Sequence, residues 1–198
     1  MRLHKYLLIG GALVMATAAS SAVALGAAHT TRAAVVRAHH AHEADEVSLG
    51  LTPSSPQLAA CMPGARLNVE VELTTDQRGF DRFEIAARHL PPNRDFTIFL
   101  LEQAGAPFGA AEYIGDLSTN SQGNGHAEFH LIVQEAFSST LVDGKRTRVD
   151  LNRVGMWFAD PKDDEFCLPG SGATPFDGDN EAGVQAFNSA NAAPLPAP

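Results

Sequence analysis

Residues 66–74, RLNVEVELT, alternate apolar and polar side chains without a break. Leu67, Val69, Val71 and Leu73 fall on one face, and Arg66, Asn68, Glu70 and Glu72 on the other. Successive side chains of a strand point to opposite faces, so a period of two predicts a strand with one buried and one wet side. The same argument runs along the chain. FDRFEIAARHL predicts a second strand, with Phe83, Ile85 and Ala87 on its inner face. DFTIFLLEQ is apolar on both faces and predicts a central third strand. EYIGDLST predicts a fourth strand, HAEFHLIV a fifth and RVDLNRVGMWFAD a sixth, with the polar stretch SSTLVDGKRT before the last. LPPN breaks the chain ahead of the third strand. NSQGNG is a turn signal between the fourth and fifth, because Asn and Gly tolerate positive φ. Short strands separated by Gly, Pro and Asn, with no βαβ rhythm, predict an all-β antiparallel sandwich or barrel.

The flanks read differently. MRLHK is a basic start, and residues 6–28 carry no charge and end in Ala, Ser and Gly. Residues 1–28 therefore predict a signal peptide, with Ala22-Val23-Ala24 and Gly26-Ala27-Ala28 as cleavage sites; left uncleaved, the run is long enough to anchor in a bilayer. Residues 29–60 mix Ala, His, acids, Ser and Pro without apolar period, and predict a flexible spacer. Residues 61–187 are the expected folded domain, and 188–198 a disordered tail rich in proline. Cys61 and Cys167 are the only cysteines. In an exported chain an even pair predicts a disulfide, here joining the start of the sandwich to its end. The expected site of action is outside the cytoplasm, secreted or at the cell surface.

The 198-residue chain has a formal charge of −9. Loss of residues 1–28 removes Arg2 and Lys5, leaving twelve bases against twenty-three acids, or −11. An acidic surface repels nucleic acid and anionic lipid and attracts cations and basic surfaces. The expected partner is therefore an extracellular protein or cell-wall ligand, with nucleic acid excluded and membrane contact only through an uncleaved leader.

Three stretches hold candidate metal ligands. Residues 160–183, DPKDDEFCLPGSGATPFDGDNEAG, concentrate Asp160, Asp163, Asp164, Glu165, Asp177, Asp179 and Glu181 around one cysteine. Calcium takes six to eight oxygens, and Asp177, Asp179 and Glu181 at alternate positions resemble the start of a calcium loop. The full pattern is not met, since Ala182 stands where a glycine is needed and no later Glu follows. HHAHEADE offers His39, His40, His42, Glu43, Asp45 and Glu46, a tract able to capture zinc, copper or nickel. On the fifth strand His126, Glu128 and His130 share a face. Neighbours two apart lie about 6.6 Å apart along a strand and can share a metal, whereas the two histidines lie about 13 Å apart and do not meet at one ion. The bland alternative for each stretch is a solvated surface. Trp157, beside Phe158, is expected in the core. No G-x-S-x-G, H-E-x-x-H, C-x-x-C or phosphate-loop pattern is present, so the leading expectation is a non-catalytic binding or structural module. The alternative is a metal-handling protein or metal-dependent enzyme using these ligands, with calcium the candidate cofactor.

HLPPNRDFTIFLLE, GDLSTNSQGNGHAEF and WFADPKDDEFC…TPFDGDNEAG together resemble a group of small exported bacterial proteins of unknown function. The resemblance spans about residues 65–186. It implies an immunoglobulin-like β-sandwich and no activity. LPPN is similar, more distantly, to a strand-turn of copper/zinc superoxide dismutases and chordin-type repeats. Those families place histidines soon after the turn, and RDFTIFLLEQ has none.

Overall fold

A computed structural model describes residues 46–176 and 181–196. The expected leader and the histidine tract lie outside these residues, Glu46 excepted. Among the described residues ten strands form: β1 (Glu46–Pro53), β2 (Arg66–Glu72), β3 (Asp81–Arg88), β4 (Asp95–Leu101), β5 (Ala111–Ser118), β6 (Gly125–Leu131), β7 (Phe137–Val142), β8 (Lys145–Asp150), β9 (Arg153–Phe158) and β10 (Gln185–Asn188). Two short helices, α1 (Pro56–Cys61) and α2 (Thr75–Arg78), sit between the early strands.

Eight strands run in the order β5-β4-β9-β10-β1-β2-β3-β6, every neighbour antiparallel. β1 serves both halves. Glu46 to Leu51 pair with β2, and Thr52 and Pro53 pair with β10. The two ends of the order meet again through the β5–β6 connection, where Thr119 bridges Gly125. The arrangement is the antiparallel sandwich, closed in a barrel-like way, that the period-two pattern predicts. Its inner layer sets the alternating residues read from the sequence, Val69, Val71, Phe83 and Ile85, against Phe96, Ile98, Leu100, Met156 and Phe158 from the other half, all fully buried. The NSQGNG turn forms as expected. The Asn120 side chain accepts from the backbone N–H of Gln122 and Asn124 at 2.9 and 3.1 Å. Gly123 there has φ +72, and a Cβ would lie 2.0 Å from the Leu90 carbonyl, so no other residue fits.

Four expectations are corrected. The spacer placed at residues 29–60 is ordered from Glu46 onward, because Leu49, Leu51 and Leu58 have a core to fill. The tail placed at 188–198 is docked over its described part: Leu195 is 2% exposed and its N–H donates to the Asn152 carbonyl at 2.9 Å. The sixth strand is two, with Leu151 and Asn152 between β8 and β9. β9 is not the last strand. β10 follows it and lies between β9 and β1, buried along its whole length.

The Cys61–Cys167 disulfide forms across a separation of 106 residues. It ties the end of α1 to the loop between β9 and β10, not the first strand to the last. β4 is indeed buried on both faces. Its outer side is covered by a second apolar cluster of Phe99, Leu101 and Trp157 roofed by Phe108 and Phe176. Trp157 is 1% exposed and stacks on Phe176 at 4.2 Å. It is core, but core on the outside of the sheet.

Candidate functional site

The strand β6 presents His126, Glu128 and His130 outward, as its alternation requires. β3 beside it presents Arg82 and Glu84, and β2 presents Glu70 and Glu72. The register sets Glu70, Glu84 and Glu128 side by side on three adjacent strands. Like charges directly opposed repel, and Arg82 and two histidines bond to them. Arg82 bonds Glu72, Glu84 (2.8 Å) and Glu128 (3.4 Å). His126 reaches Glu84 at 2.8 Å, while His130 turns to Glu128 at 3.2 Å and stacks on Phe80. The bond from His126, aided by Arg82, holds the Glu84 carboxyl below its ordinary range; the bond from Arg82 does the same for Glu72. The histidines thus engage different carboxylates, and the three predicted ligands do not converge. Among the described residues no group of three or more His, Cys, Asp or Glu is arranged to hold a metal ion.

The acidic loop is divided in the same manner. Asp164 is fully buried. Its Oδ2 accepts the Val184 N–H at 2.8 Å, its Oδ1 accepts the Ser171 hydroxyl, and its carbonyl accepts Cys167 and Leu168 N–H. Asp160 accepts the Lys162 N–H at 2.8 Å, Glu165 accepts the Gly170 N–H at 3.1 Å, and Asp163 pairs with Arg94 at 3.0 Å. Asp160 and Glu165 close local turns, Asp164 reaches across to Val184, and Asp163 pairs with Arg94; among the described residues no three of these acids are placed to hold a metal ion. Asp177 and Asp179 lie outside the described residues. Glu181 is exposed beside the start of β10.

A different cleft lies on the outer face of β4 and β5. It encloses about 520 Å³ and is lined by Asp95, Thr97, Tyr113, Asp116, Ser118 and Ala159. The register places Asp95 opposite Ser118 and Thr97 opposite Asp116. Both carboxylates take bonds only from neutral hydroxyls: Ser118 donates to Asp95 at 2.6 Å and Tyr113 donates to Asp116 at 2.9 Å. No base pairs with either among the described residues; Arg94, next to Asp95 in the sequence, pairs with Asp163. At the floor, Thr97 is 5% exposed and its hydroxyl has no hydrogen-bond partner among the described residues. A buried hydroxyl without a partner is costly, and in native structures it calls for an explanation.

The surrounding field is negative. Burial pushes the Asp163 carboxyl upward, and the nearby charges of Asp160, Asp95 and Asp164 add to that push against Arg94. Burial, and then the Asp116 carboxylate, also raise the Tyr113 phenol, which keeps it protonated as a donor. The Tyr113 ring is 54% exposed and packs edge-on against Phe99. The cleft therefore combines two uncompensated carboxylates, one unpaired hydroxyl and one open aromatic face. None of its residues was singled out from sequence, because Asp95 and Thr97 meet Asp116 and Ser118 only through the β4–β5 register.

Comparison with protein-family models, curated proteins and solved structures gives no match.

Proposed function

We propose that this chain is an exported binding module, acting outside the cell or at its surface, whose ligand carries a cationic group taken by the Asp95–Asp116 cleft. The unpaired Thr97 hydroxyl between two carboxylates that have no basic partner among the described residues carries this reading. An ammonium has three N–H donors and no acceptor. Asp95, Asp116 and the Thr97 hydroxyl offer three acceptors, and the Tyr113 ring offers a face for a cation. Desolvating one of two neighbouring carboxylates is unfavourable without a counter-charge, which a cation supplies and a neutral sugar does not. The disulfide supports export, since such bonds persist in oxidising compartments.

The test is binding of a fluorescent tri-lysine peptide to the full chain, followed by anisotropy. Asp116→Asn and Thr97→Val each weaken binding at least severalfold, and a tri-serine peptide of the same length does not bind. Equal affinity of the wild-type chain and Asp116→Asn for tri-lysine refutes the site.

A further inference from the structure

Among the described residues one strand concentrates exposed bases. β7 and β8 pair with each other and with no strand of the main sheet. Asp143 and Gly144 join them with φ of +51° and +78°, the positive values a two-residue hairpin turn requires. Lys145, Arg146 and Arg148 are all exposed on β8. Lys145 and Arg146 make no ion pair among the described residues, while Arg148 is held by Asp150 and the Phe137 ring. At the tip, Leu141 and Val142 are 62% and 51% exposed, and Val142 stands opposite Lys145. A hairpin with an apolar tip and unpaired cations is an unusual feature on a chain with a net charge of −9.

The hairpin and the cleft lie toward opposite ends of β9. β9 leaves the hairpin at Arg153, which pairs with Leu101 at the far end of β4. It ends at Phe158, opposite Phe96 and beside Asp95 in the cleft. The intervening strand spans about 17 Å at ~3.3 Å per residue. The fold thus separates a cationic, apolar-tipped donor from an anionic acceptor, the arrangement that favours contact between molecules over contact within one.

We infer that the cation-bearing partner of the cleft is a second copy of this chain, with the β7–β8 hairpin of one copy entering the Asp95–Asp116 cleft of the next. The inference rests on the cationic-ligand reading above. Lys145 supplies the ammonium to Asp95, Asp116 and Thr97, and Val142 and Leu141 lie against the Tyr113 ring. Donor and acceptor are different surfaces, so the contact is head-to-tail, and each added copy leaves one hairpin and one cleft free unless the series closes into a ring. The net negative charge of each copy opposes approach at long range. Attraction therefore acts only at contact, within about a Debye length of ~10 Å.

The test is sedimentation velocity of the full chain with two variants. Lys145→Glu with Arg146→Glu disables the hairpin, and Asp95→Asn with Asp116→Asn disables the cleft. The wild-type chain grows past two copies as concentration rises from about 1 μM to ~1 mM, a span covering weak but specific association. Each variant alone stays monomeric. An equimolar mixture of the two forms a species of two chains and nothing larger, since only one hairpin and one cleft remain intact. Trp157 emission identical to wild type shows that both variants are folded, and Lys145→Ala with Arg146→Ala replaces the charge reversal should it unfold the chain. A monomeric wild-type chain over the whole range overturns the inference, as does a hairpin variant that associates like wild type. If tri-lysine still binds the cleft of that monomer, the cationic-ligand reading stands and only self-docking falls. If tri-lysine fails as well, both fall.

Discussion

Asp81→Ala tests the most concentrated polar anchor in the fold. Asp81 opens β3 and is fully buried. Its Oδ1 accepts the N–H groups of Thr74 and Thr75 at 2.7 and 2.9 Å, and its Oδ2 accepts that of Val133 at 2.8 Å. One carboxylate therefore holds the turn into α2 and the segment leading to the β7–β8 hairpin. Truncation leaves three donors without an acceptor. Val133 is 2% exposed, so its orphaned N–H costs about 2–3 kcal/mol. Thr74 and Thr75 are only half-buried and water reaches them, so each costs about 1 kcal/mol. The sum, about 4–5 kcal/mol, is large beside the ~5–15 kcal/mol that stabilises an ordinary domain. Asp81→Asn separates the two oxygens. It keeps the acceptor for Thr74 and Thr75 and turns an amide NH₂ toward the Val133 N–H, at an expected cost of about 2–3 kcal/mol. The assay is urea unfolding of the full chain, followed by emission of Trp157, the only tryptophan and a buried one. The shift in midpoint at constant slope gives the change directly. A loss under about 1 kcal/mol for Asp81→Ala, or an equal loss for both variants, would refute the argument.

Four further outcomes follow from other parts of the fold. Cys61→Ser with Cys167→Ser opens a loop of 106 residues, and the chain-entropy model expects a loss of up to about 4.7 kcal/mol, measured as above. Gly155→Ala destabilises by about 1–3 kcal/mol, because its Cβ meets the Trp157 ring at 2.5 Å and Leu101 at 2.6 Å; an unchanged melting temperature counts against that packing. Glu84 and Glu72 have carboxyls lowered by their bonded partners, so their contribution to stability is present above the unfolded-state pKa near 4.5 and fades as pH falls through the lower folded values. His126→Ala raises the Glu84 carboxyl toward its ordinary value in an NMR titration and leaves Glu72, which bonds Arg82, unmoved.

The strands of the sandwich were legible where side chains alternate over a half-buried sheet. β2, β3 and β6 are such strands, and their inward residues are the ones the period of two assigns. β1 does alternate, with Val47, Leu49 and Leu51 against Ser48 and Gly50, but the run is short, has Gly50 inside it and ends in Thr-Pro, so it does not stand out from the Ala, His and Pro around it. β10 escaped because four residues buried on both faces show no period at all. The β7–β8 hairpin carries an Asp-Gly signal at 143 and 144. It was passed over because it stands outside the core and so lacks an apolar face to complete the pattern. The cysteines paired as their count implied, but the strands missed on either side moved the bond from the ends of the sheet to its middle.

The acids of this chain divide by what donates to them. Asp81 and Asp164 receive backbone N–H groups from segments far apart in sequence, and both are sealed from solvent. A backbone donor is fixed in place, so a carboxylate that satisfies it is committed to the fold. Asp160 and Glu165 close local turns with single backbone bonds and are committed in the same sense, though less strongly. Glu72, Glu84 and Glu128 are compensated by Arg82 and two histidines at the surface, where such pairs are worth little. Asp95 and Asp116 belong to neither group. Their donors are the hydroxyls of Ser118 and Tyr113, which rotate, carry no charge and can donate elsewhere. Density of acids along the sequence favoured residues 160–181, where Asp160, Asp163, Asp164 and Glu165 have structural duties. Freedom to accept a new donor is a property of the partner, not of the acid, and it singles out the β4–β5 cleft, where two carboxylates flank a hydroxyl with no described partner.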